Sequence, residues 1–369
     1  MITNIDENFG KLRAKLDELG IAEDTILIFM TDNGTATGVE LDENGFPFEG
    51  PGSFNAGMRG KKGSPYEGGH HVPFIMRYPN GGASGGRDID ALTSYVDLMP
   101  TLLHLCEEDL PDGRTFHGKS LVPIMKEAPG DEWNDRIIVS DTQRIARPMK
   151  WRKSSIMKNR WRLVNGDELY DLSHDSGQRN NIAGQHPDVV QELRVGYDAW
   201  WNIFSEQFDR DIPIALGQNG EPVKITTHDI RNEACNAVWN HRQVRMGVVC
   251  SGFWEVDVRT EGNYEIELRR WPEEAGYAAA AGIDGDDVEW RKDAIKDSDA
   301  THYTGGVALR IGWAQMTIGG KTYQTEIGED DTGATFQVAL RRGPDRLFAS
   351  FHDKVERMIA PYYVYVRKQ

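Results

Sequence analysis

The sequence predicts an α/β fold class, in which an α/β domain precedes a small α+β region and an antiparallel β-sandwich. Three observations support this prediction. An amphipathic helical pattern at residues 4–20 leads directly into an apolar run at 25–31. A hairpin pattern and a long helical pattern follow one another between 154 and 204. After residue 246 the period changes to two residues, which is typical of half-buried antiparallel strands.

Length and composition exclude several classes of protein. The 369 residues suffice for two or three domains, and 10 Trp, 12 Tyr and 13 Phe argue against a disordered chain. The net charge of −16 argues against a protein that wraps nucleic acid or an anionic membrane, since both need a basic surface. No apolar run approaches the roughly 20 residues of a membrane span. Three cysteines, Cys106, Cys235 and Cys250, exclude a disulfide-rich scaffold.

The first predicted element is a helix over residues 4–20. Its apolar residues recur at helical spacing and form one face, which consists of Ile5, Phe9, Leu12, Leu16 and Leu19. We expect Thr3 to cap the first turn, with Asp6 in the position of a capping-box carboxylate. Gly20 is expected to end the helix.

The elements that follow alternate between strands and helices. The apolar run 25–31 predicts a parallel strand that is buried on both faces. Residues 34–69 contain ten glycines and little periodicity, which in so long a loop indicates disorder or function. Residues 72–79 then predict a strand, and 97–106 predict a helix with Pro100 in its first turn.

The middle of the chain predicts a small α+β subdomain. Strands at 154–164 and 168–172 are expected to pair across a hairpin turn at Asn165-Gly166. Pro187 opens a helix whose apolar residues include Val190, Leu193, Tyr197, Trp200, Trp201 and Phe204. Residues 206–245 show weak patterning and are interpreted as a linker.

The last third predicts a β-sandwich of about eight strands. Alternating residues place these strands near 254–258, 264–268, 307–311, 314–318, 321–325, 335–340, 346–351 and 362–367. Turns are expected at Gly262-Asn263 and Gly319-Gly320. The acidic stretch 284–299 is interpreted as a solvated loop.

A candidate metal site follows the first predicted strand at Asp32-Asn33-Gly34. In α/β sheets ligands bind beyond the carboxyl ends of the strands, and Ca²⁺ or Mg²⁺ prefers carboxylate and amide oxygens. The alternative interpretation is a tight turn, because Asp-Asn-Gly is also typical of turns.

A candidate anion site lies in the glycine-rich segment 58–75. Arg59, Lys61 and Lys62 stand among Gly57, Gly60 and Gly63, so cationic groups and accessible backbone N–H groups share one loop. A lysine ammonium suits a compact tetrahedral anion. The alternative is an exposed basic loop. A nucleotide site is not expected, because neither Ser nor Thr follows Lys62 directly and no strand precedes the loop.

Other reactive residues do not form a recognisable catalytic pattern. His70 and His71 would point apart in a strand, so we expect at most one to face a site and favour a structural or surface role for both. No cysteine has an adjacent histidine, and no Gly-x-Ser-x-Gly occurs. The sequence therefore predicts an anion and metal site without a nucleophile.

The ordered motifs resemble the carboxyl-terminal portion of a type I sulfatase, a member of the arylsulfatase family with an alkaline-phosphatase-like fold. They are, in order, NIDENFGKL, TDNG, RGKKGSPYEGG with VPFI, VDLMPTLLHLC with HGKSLVPIM, RWRLVNGDELYDL and NNIAGQHPDVVQEL. The resemblance covers roughly residues 1–204. Residues 246–369 are similar to the appended β domain of some bacterial arylsulfatases.

The resemblance implies roles for three residues. Asp32 and Asn33 correspond to two ligands of the divalent metal, usually Ca²⁺, and Lys62 corresponds to the lysine that holds the sulfate oxygens. The family often has Arg at the position of His71 and Asp at that of His117. Its nucleophile is a formylglycine made from a Cys/Ser-x-Pro/Ala-x-Arg motif upstream of the metal-binding Asp-Asn, and that motif does not occur in the 369 residues.

The resemblance also implies a domain organisation. Residues 1–130 correspond to the carboxyl-terminal half of the catalytic α/β domain, which carries part of its sheet. Residues 131–205 correspond to a small α+β subdomain, 206–245 to a linker and 246–369 to an accessory β-sandwich. We therefore expect the chain to begin partway into a longer protein, and the family resemblance favours a periplasmic or extracellular location.

The expected activity is hydrolysis of a small-molecule or polysaccharide sulfate ester, with this chain inactive by itself because it lacks the nucleophile. One alternative is a phosphatase or phosphonate-ester hydrolase of the same superfamily. Another is a polysaccharide-binding module, in which exposed members of Trp254, Trp271, Trp290 and Trp313 stack on sugar rings.

Overall fold

The computed structural model describes residues 2–48, 50, 53–126, 130–143, 145, 147–218, 220–232, 237–284, 305–353 and 358–369. The chain divides into two units, the first made of residues 1–143 and 149–206 and the second of 144–148 and 207–369. The first unit mixes helices with a two-stranded and a four-stranded sheet, and the second consists mainly of a four-stranded and a six-stranded sheet. This confirms the predicted α/β class with antiparallel sheets after it.

The first helix, α1 (Ile2–Glu18), has the predicted apolar face but buries none of its residues. Its contact with the next strand includes an edge-to-face pair of Phe9 and Phe29, with ring centroids 5.6 Å apart. Because α1 already begins at Ile2, the prediction that Thr3 and Asp6 cap it is wrong. The prediction that Gly20 ends the helix is confirmed by a left-handed φ of 69°.

The first strand, β1 (Leu27–Met30), pairs with β2 (Phe74–Arg77) in a two-stranded sheet. The pairing is antiparallel, with Leu27 opposite Arg77, and all four residues of β1 are half-buried. The prediction of a parallel strand buried on both faces is therefore wrong. A short apolar run fits either direction, and the direction here depends on a partner that lies far along the chain.

Short helices follow the glycine-rich loop. They are α2 (Glu67–His70), α3 (Leu98–Leu105), α4 (Val122–Lys126) and α5 (Asp131–Asn134), and a 3₁₀ turn at Tyr95–Asp97 leads into α3. The buried Asp97 carboxylate accepts two hydrogen bonds from Arg136, at 2.9 Å from Nη1 and 2.7 Å from Nη2. It also accepts bonds from the backbone N–H groups of Ser94 and Lys119. This ion pair joins three segments of the first unit.

The subdomain predicted after residue 131 is a four-stranded antiparallel sheet covered by a long helix. The strands β3 (Ile137–Asp141), β4 (Ser154–Lys158), β5 (Trp161–Val164) and β6 (Glu168–Asp171) lie in that order, and the helix is α6 (Pro187–Ser205). Their core consists of Ile156, Leu163, Leu169, Val190, Leu193 and Tyr197.

This subdomain contains one more turn, and therefore one more strand, than the sequence predicts between residues 154 and 172. The single strand predicted at 154–164 is two strands, β4 and β5, because the chain turns at Asn159, whose φ is 49°. The hairpin turn between β5 and β6 is confirmed, with φ values of 52° at Asn165 and 82° at Gly166.

Residues 206–245 do not form a simple linker. They contribute β7 (Ile214–Leu216), β8 (Val223–Thr226) and α7 (His241–Met246) to the second unit. Both strands join sheets of the sandwich, and β7 pairs in parallel with β9 (Phe253–Val258). Strands of three or four residues carry too little periodicity to be recognised in the sequence.

The remaining strands complete two sheets around one apolar core. They are β10 (Gly262–Arg269), β11 (Ile311–Ile318), β12 (Lys321–Glu326), β13 (Gly333–Leu340), β14 (Gly343–Asp353), β15 (Met358–Ile359) and β16 (Tyr363–Lys368). One sheet has the order β13-β10-β16-β8, and the other β12-β11-β14-β9-β7 with β15 paired to β14.

Several details of the predicted sandwich differ from the structure. The strands predicted at 307–311 and 314–318 are replaced by one strand, β11, which begins at Ile311, and no strand occupies 307–310. Gly262-Asn263 begins β10 instead of forming a turn. The Gly319-Gly320 turn is confirmed by φ values of 62° and 69°. Of the acidic stretch 284–299 only Asp284 lies within the described residues. Cys235 and Trp290 also lie outside them. The domain boundaries at 130 and 205 remain predictions.

Candidate functional site

The structure brings together Asp32-Asn33-Gly34, which we call the candidate metal loop, and the glycine-rich segment 58–75, which we call the candidate anion loop. The backbone N–H of Gly34 donates to the carbonyl of Gly69 at 3.0 Å, and that of Lys62 donates to the carbonyl of Thr35 at 2.9 Å. The two loops thus lie side by side, and backbone hydrogen bonds join them. Neither the spacing nor the composition of the two motifs requires this contact.

Glycines permit this close approach. A Cβ atom on Gly34 would lie 1.8 Å from the carbonyl oxygen of Gly68. On Gly68 it would lie 2.2 Å from the oxygen of Gly60, and on Gly69 it would lie 2.1 Å from that of Ser64. Because these neighbours are backbone atoms, a side chain at Gly34 would separate the two loops, and one at Gly68 or Gly69 would disrupt the packing within the anion loop.

The two lysines of the anion loop differ in exposure. Lys61 is half-buried and Lys62 is exposed. Within the described residues neither ammonium group forms a salt bridge, although the chain is strongly acidic. A lysine without an acidic partner keeps its charge available to an anionic ligand, and Lys62 is the more accessible of the two.

Glu67 holds the anion loop against the sheet of the first unit. Its carboxylate is 2% exposed and accepts a hydrogen bond of 2.8 Å from Arg162 Nε in β5. His71 Nδ1 lies 2.8 Å and His70 Nε2 3.3 Å from the same carboxylate. The backbone N–H of Glu67 donates to the side chain of Gln178, which is fully buried. The loop is therefore anchored by a residue five positions after Lys62.

These contacts determine the ionisation of Glu67 and His71. Burial by itself would raise the pKa of the Glu67 carboxyl, but hydrogen bonds from His70 and His71 and the charge of Arg162 hold it well below its usual range. The hydrogen bond to Glu67 raises the pKa of His71, and partial burial opposes that effect. Both shifts favour the ion pair.

The expectation that adjacent histidines point apart is wrong for His70 and His71. Residues 67–70 form a helical turn, so both rings reach the carboxylate of Glu67 at its start. Their structural role agrees with the sequence interpretation. His117 is exposed and packs on the ring of Phe204, with centroids 5.3 Å apart.

Unlike Lys61 and Lys62, Arg59 has partners for its charged group among the described residues. Its guanidinium lies 3.8 Å above the ring of Tyr66 and donates to Tyr170 Oη at 2.9 Å. Both tyrosine hydroxyls donate to Glu168. Burial raises the pKa of Tyr66 to about 12, and the hydrogen bond of Tyr66 to Glu168 contributes to this shift. Arg59 therefore joins the loop to β6 and is not available to bind an anion.

The residues expected to bind metal have free oxygen atoms. Asp32 is exposed and Asn33 half-buried, and neither side chain has a hydrogen-bond partner among the residues that the structure describes. These oxygens fit a hard cation, but Ca²⁺ takes six to eight of them. No group of three or more His, Cys, Asp or Glu side chains in the described ranges could hold a metal ion. Asp32 and Asn33 can thus supply part of a site.

Glu67, Arg162 and Gln178 were not recognised as site residues from the sequence. The position of Glu67 inside a basic, glycine-rich loop could have indicated its role, since a carboxylate that is buried there needs a cationic partner. Arg162 is 95 positions away from Glu67, and nothing in its own segment indicates the contact.

The Glu67–His71 pair predicts a pH dependence of stability. His71 has a raised pKa in the folded chain, so its contribution is fully present below about pH 6.5 and is lost as pH rises through the folded value. We expect the free energy of unfolding of the first unit to fall between pH 6 and pH 8, by less than about 1 kcal/mol because the His71 side chain is 64% exposed.

Urea unfolding of the wild-type chain and of His71→Ala at several pH values measures this effect. The variant should lose the decline, and His174→Ala, which changes another exposed histidine, should keep it. Parallel pH profiles for the wild type and His71→Ala would contradict the prediction.

Two family models match the amino-terminal half of the chain. The model described as Sulfatase matches residues 1–107, and the model described as N-sulphoglucosamine sulphohydrolase, C-terminal, matches residues 61–196. The two matches overlap at the anion loop and together span both candidate motifs. No helix in the described part of the chain combines the length and the apolar character that a membrane crossing requires.

Curated relatives match between about a third and a half of the chain. Steryl-sulfatase from Mus musculus is 35% identical over 125 residues, which cover 34% of this chain and 19% of that protein. N-acetylgalactosamine-6-O-sulfatase from Bacteroides thetaiotaomicron is 29% identical over 208 residues, which cover 52% of this chain and 39% of that protein. The matched part is thus well under half the length of either relative.

Solved structures show a likeness over a similar share of the chain. A protein solved in complex with its substrate D-glucosamine-2-N,6-O-disulfate is 21% identical, with a TM-score of 0.39. The match covers 57% of this chain and 41% of that one.

Proposed function

We propose that this chain, whose residues 1–196 belong to the type I sulfatase family, provides a sulfate-binding lysine and two metal ligands to an enzyme that hydrolyses sulfate esters. The observation that carries the proposal is the pair of hydrogen bonds between the two candidate loops, Gly34 to Gly69 and Lys62 to Thr35. These hydrogen bonds place the loop that carries the unpaired ammonium group of Lys62 next to the loop that carries the side-chain oxygens of Asp32 and Asn33, which are likewise unpaired within the described ranges.

Lys62 binds and neutralises the sulfate group in the proposed reaction. Negative charge builds on the sulfate oxygens as the S–O bond breaks, and a preorganised cation stabilises that charge. The anchor at Glu67 keeps the lysine loop in place, so little reorganisation is needed when the substrate binds. The exposed ammonium of Lys62 is open to a substrate that arrives from solvent.

Asp32 and Asn33 would hold a divalent cation in this proposal. The sulfatase family generally uses Ca²⁺ together with a formylglycine nucleophile. A bound cation of this kind polarises the sulfate and lowers the pKa of the attacking group. The 369 residues contain no Cys/Ser-x-Pro/Ala-x-Arg motif, so the nucleophile has to come from residues outside them.

The substrate class we propose is an organic sulfate ester, either a small molecule or a polysaccharide. The names of the relatives support a sulfate over a phosphate or phosphonate ester, although one lysine cannot distinguish tetrahedral anions by itself. We place the enzyme in the periplasm or outside the cell, because members of this family are often secreted or periplasmic.

A chimera tests the proposed activity. Residues 1–204 would replace the matching segment of N-acetylgalactosamine-6-O-sulfatase from Bacteroides thetaiotaomicron, whose remaining chain supplies the rest of the active site. We expect the chimera to hydrolyse 4-nitrophenyl sulfate faster than 4-nitrophenyl phosphate. A folded chimera that prefers the phosphate ester, or that hydrolyses neither, would contradict the proposal.

Metal binding by the 369-residue chain itself tests the roles of Asp32 and Asn33. With two ligands from the chain, we expect a weak Ca²⁺ site, with a dissociation constant near or above about 1 mM. Asp32→Ala should abolish the Ca²⁺-dependent shifts in the NMR spectrum, and Glu40→Ala, which removes another exposed carboxylate of the first unit, should not. A site that survives Asp32→Ala would show that the metal assignment is wrong.

A further inference from the structure

The outward face of the larger sandwich sheet carries an ordered set of aromatic and polar side chains. On β11 and β14 alternate residues point inward, and Ala314, Met316, Leu347 and Ala349 are buried in the core. The residues between them point outward. Of the tryptophans considered for sugar stacking, Trp254 and Trp271 belong to the core, whereas Trp313 lies at an outward position of β11.

The strand register arranges these outward residues in three rows, which we call the outward array. The first row is Glu326, Trp313 and His352, the second is Gln324, Gln315 and Ser350, and the third is Thr322, Thr317, Phe348 and Phe253. Neighbouring strands are about 4.8 Å apart, so each row presents a side chain at that interval.

The first row contains a stacked aromatic pair. The rings of Trp313 and His352 stack with centroids 3.7 Å apart and an interplanar angle of 6°. Ser350 Oγ lies 2.7 Å from His352 Nε2 and fixes the imidazole from the second row. Burial lowers the pKa of His352, so the imidazole is neutral at neutral pH. The stacked pair is therefore uncharged.

The second row offers neutral hydrogen-bonding groups between two aromatic rows. The side-chain amide of Gln324 donates to that of Gln315 at 2.7 Å, and both are accessible to solvent. In the third row Phe348 is 43% exposed and its ring lies 5.3 Å from that of Phe253. The array thus combines the exposed ring of Phe348 and three half-buried rings with solvent-accessible amide groups and the exposed hydroxyl of Thr322.

A groove of about 320 Å³ opens beside the array. It lies next to the part of β14 between Phe348, the last residue paired with β9, and Phe351, the first residue paired with β15. Its lining includes Ser251, Gly252, Gln315, Phe348, Ser350 and Met358. The groove is therefore continuous with the second and third rows. A concave surface with a few polar groups among apolar ones is typical of small-ligand sites.

We propose that the outward array and its groove bind a neutral oligosaccharide. Pyranose rings present apolar C–H faces that stack on aromatic side chains, and hydroxyl groups that pair with amides and hydroxyls. The guanidinium of Arg346 lies 4.6 Å from the centre of the Phe253 ring and is paired with Glu255 at 3.0 Å. Glu326 adds a carboxylate opposite Trp313. These charges disfavour a sulfated glycan.

A peptide strand is a poorer occupant of this surface. Peptides that extend a sheet bind to an unpaired edge strand. The central strand of the array, β14, pairs with β11 on one side and with β9 and β15 on the other. Recognition here has to come from side chains, as it does for sugars. All of these residues lie in the second unit, so the inference is independent of the proposed sulfatase activity.

Titration of the full chain with defined glycans tests this proposal. The probes are β-linked hexasaccharides of glucose, mannose and xylose, and one sulfated galactan hexasaccharide, followed by NMR and tryptophan fluorescence. We expect at least one neutral probe to bind with a dissociation constant below about 1 mM. Trp313→Ala and Phe348→Ala should each weaken binding roughly tenfold, because central aromatic residues dominate such interfaces.

Trp239→Ala is the matched control, since Trp239 is 63% exposed and lies outside the sheets. It should leave binding unchanged. Gln315→Ala keeps both rings and reports on the array if Trp313→Ala does not fold. Failure of the folded chain to bind any neutral probe, stronger binding of the sulfated probe, or binding that survives both Phe348→Ala and Gln315→Ala would each overturn the proposal.

Discussion

Replacing Lys62 by alanine is expected to lower the turnover of a sulfate ester by roughly 10²–10³-fold in the chimera described above. The ammonium group of Lys62 has no acidic partner among the described residues, and its loop is hydrogen-bonded to the candidate metal loop. Removal of a charge that stabilises the transition state lowers kcat and kcat/KM together, whereas loss of ground-state binding raises KM alone. Steady-state kinetics with 4-nitrophenyl sulfate distinguishes the two.

Lys61→Ala is the matched control, because it removes a neighbouring and less exposed ammonium group from the same loop. We expect it to change kcat/KM by less than about tenfold. The 369-residue chain without the added segment should show no turnover, since its sequence lacks the nucleophile motif. If Lys61→Ala were the more damaging change, the lysine assignment would be reversed.

Replacing Asp97 by alanine is expected to destabilise the first unit by about 3–5 kcal/mol. The Asp97 side chain is fully buried and that of Arg136 is only 5% exposed, so the variant leaves a guanidinium uncompensated in the interior. The change also removes the acceptor for the N–H groups of Ser94 and Lys119. Urea unfolding combined with amide hydrogen exchange of α3 measures the loss in this unit.

Glu18→Ala provides the comparison, because the Lys15–Glu18 pair is more than half exposed on both sides and should contribute less than about 1 kcal/mol. In the double variant Asp97→Asn/Arg136→Met the unpaired charge is absent, and we expect part of the stability to return. A loss below about 1 kcal/mol for Asp97→Ala would show that the buried ion pair is not needed for stability.

The sequence predicted elements well where one segment carries the whole signal. The helix that begins at Pro187 has an apolar face and a favoured first residue, and α6 follows both. The hairpin at Asn165-Gly166 depends on two residues that readily adopt positive φ. The prediction failed at β7 and β8, whose three or four residues reveal their role only beside the neighbouring strands.

Asp97 shows the same limit within a correctly predicted element. The sequence indicates a helix at 97–106, and α3 lies there. Nothing in that segment indicates that its first carboxylate is buried against Arg136, because an aspartate at a helix start is usually explained by the helix itself. The ion pair depends on a residue 39 positions away.

The sequence by itself predicted the fold class, the turns at Asn165-Gly166 and Gly319-Gly320 and the resemblance of roughly residues 1–204 to type I sulfatases, and it singled out Asp32, Asn33 and Lys62. These results depend on periodicity and on short motifs, which are properties of neighbouring residues. The tertiary structure decided the antiparallel direction of β1, the contact between the two candidate loops and the rows of the outward array. Each depends on hydrogen bonds between segments far apart in the chain, and residue spacing does not encode such distances.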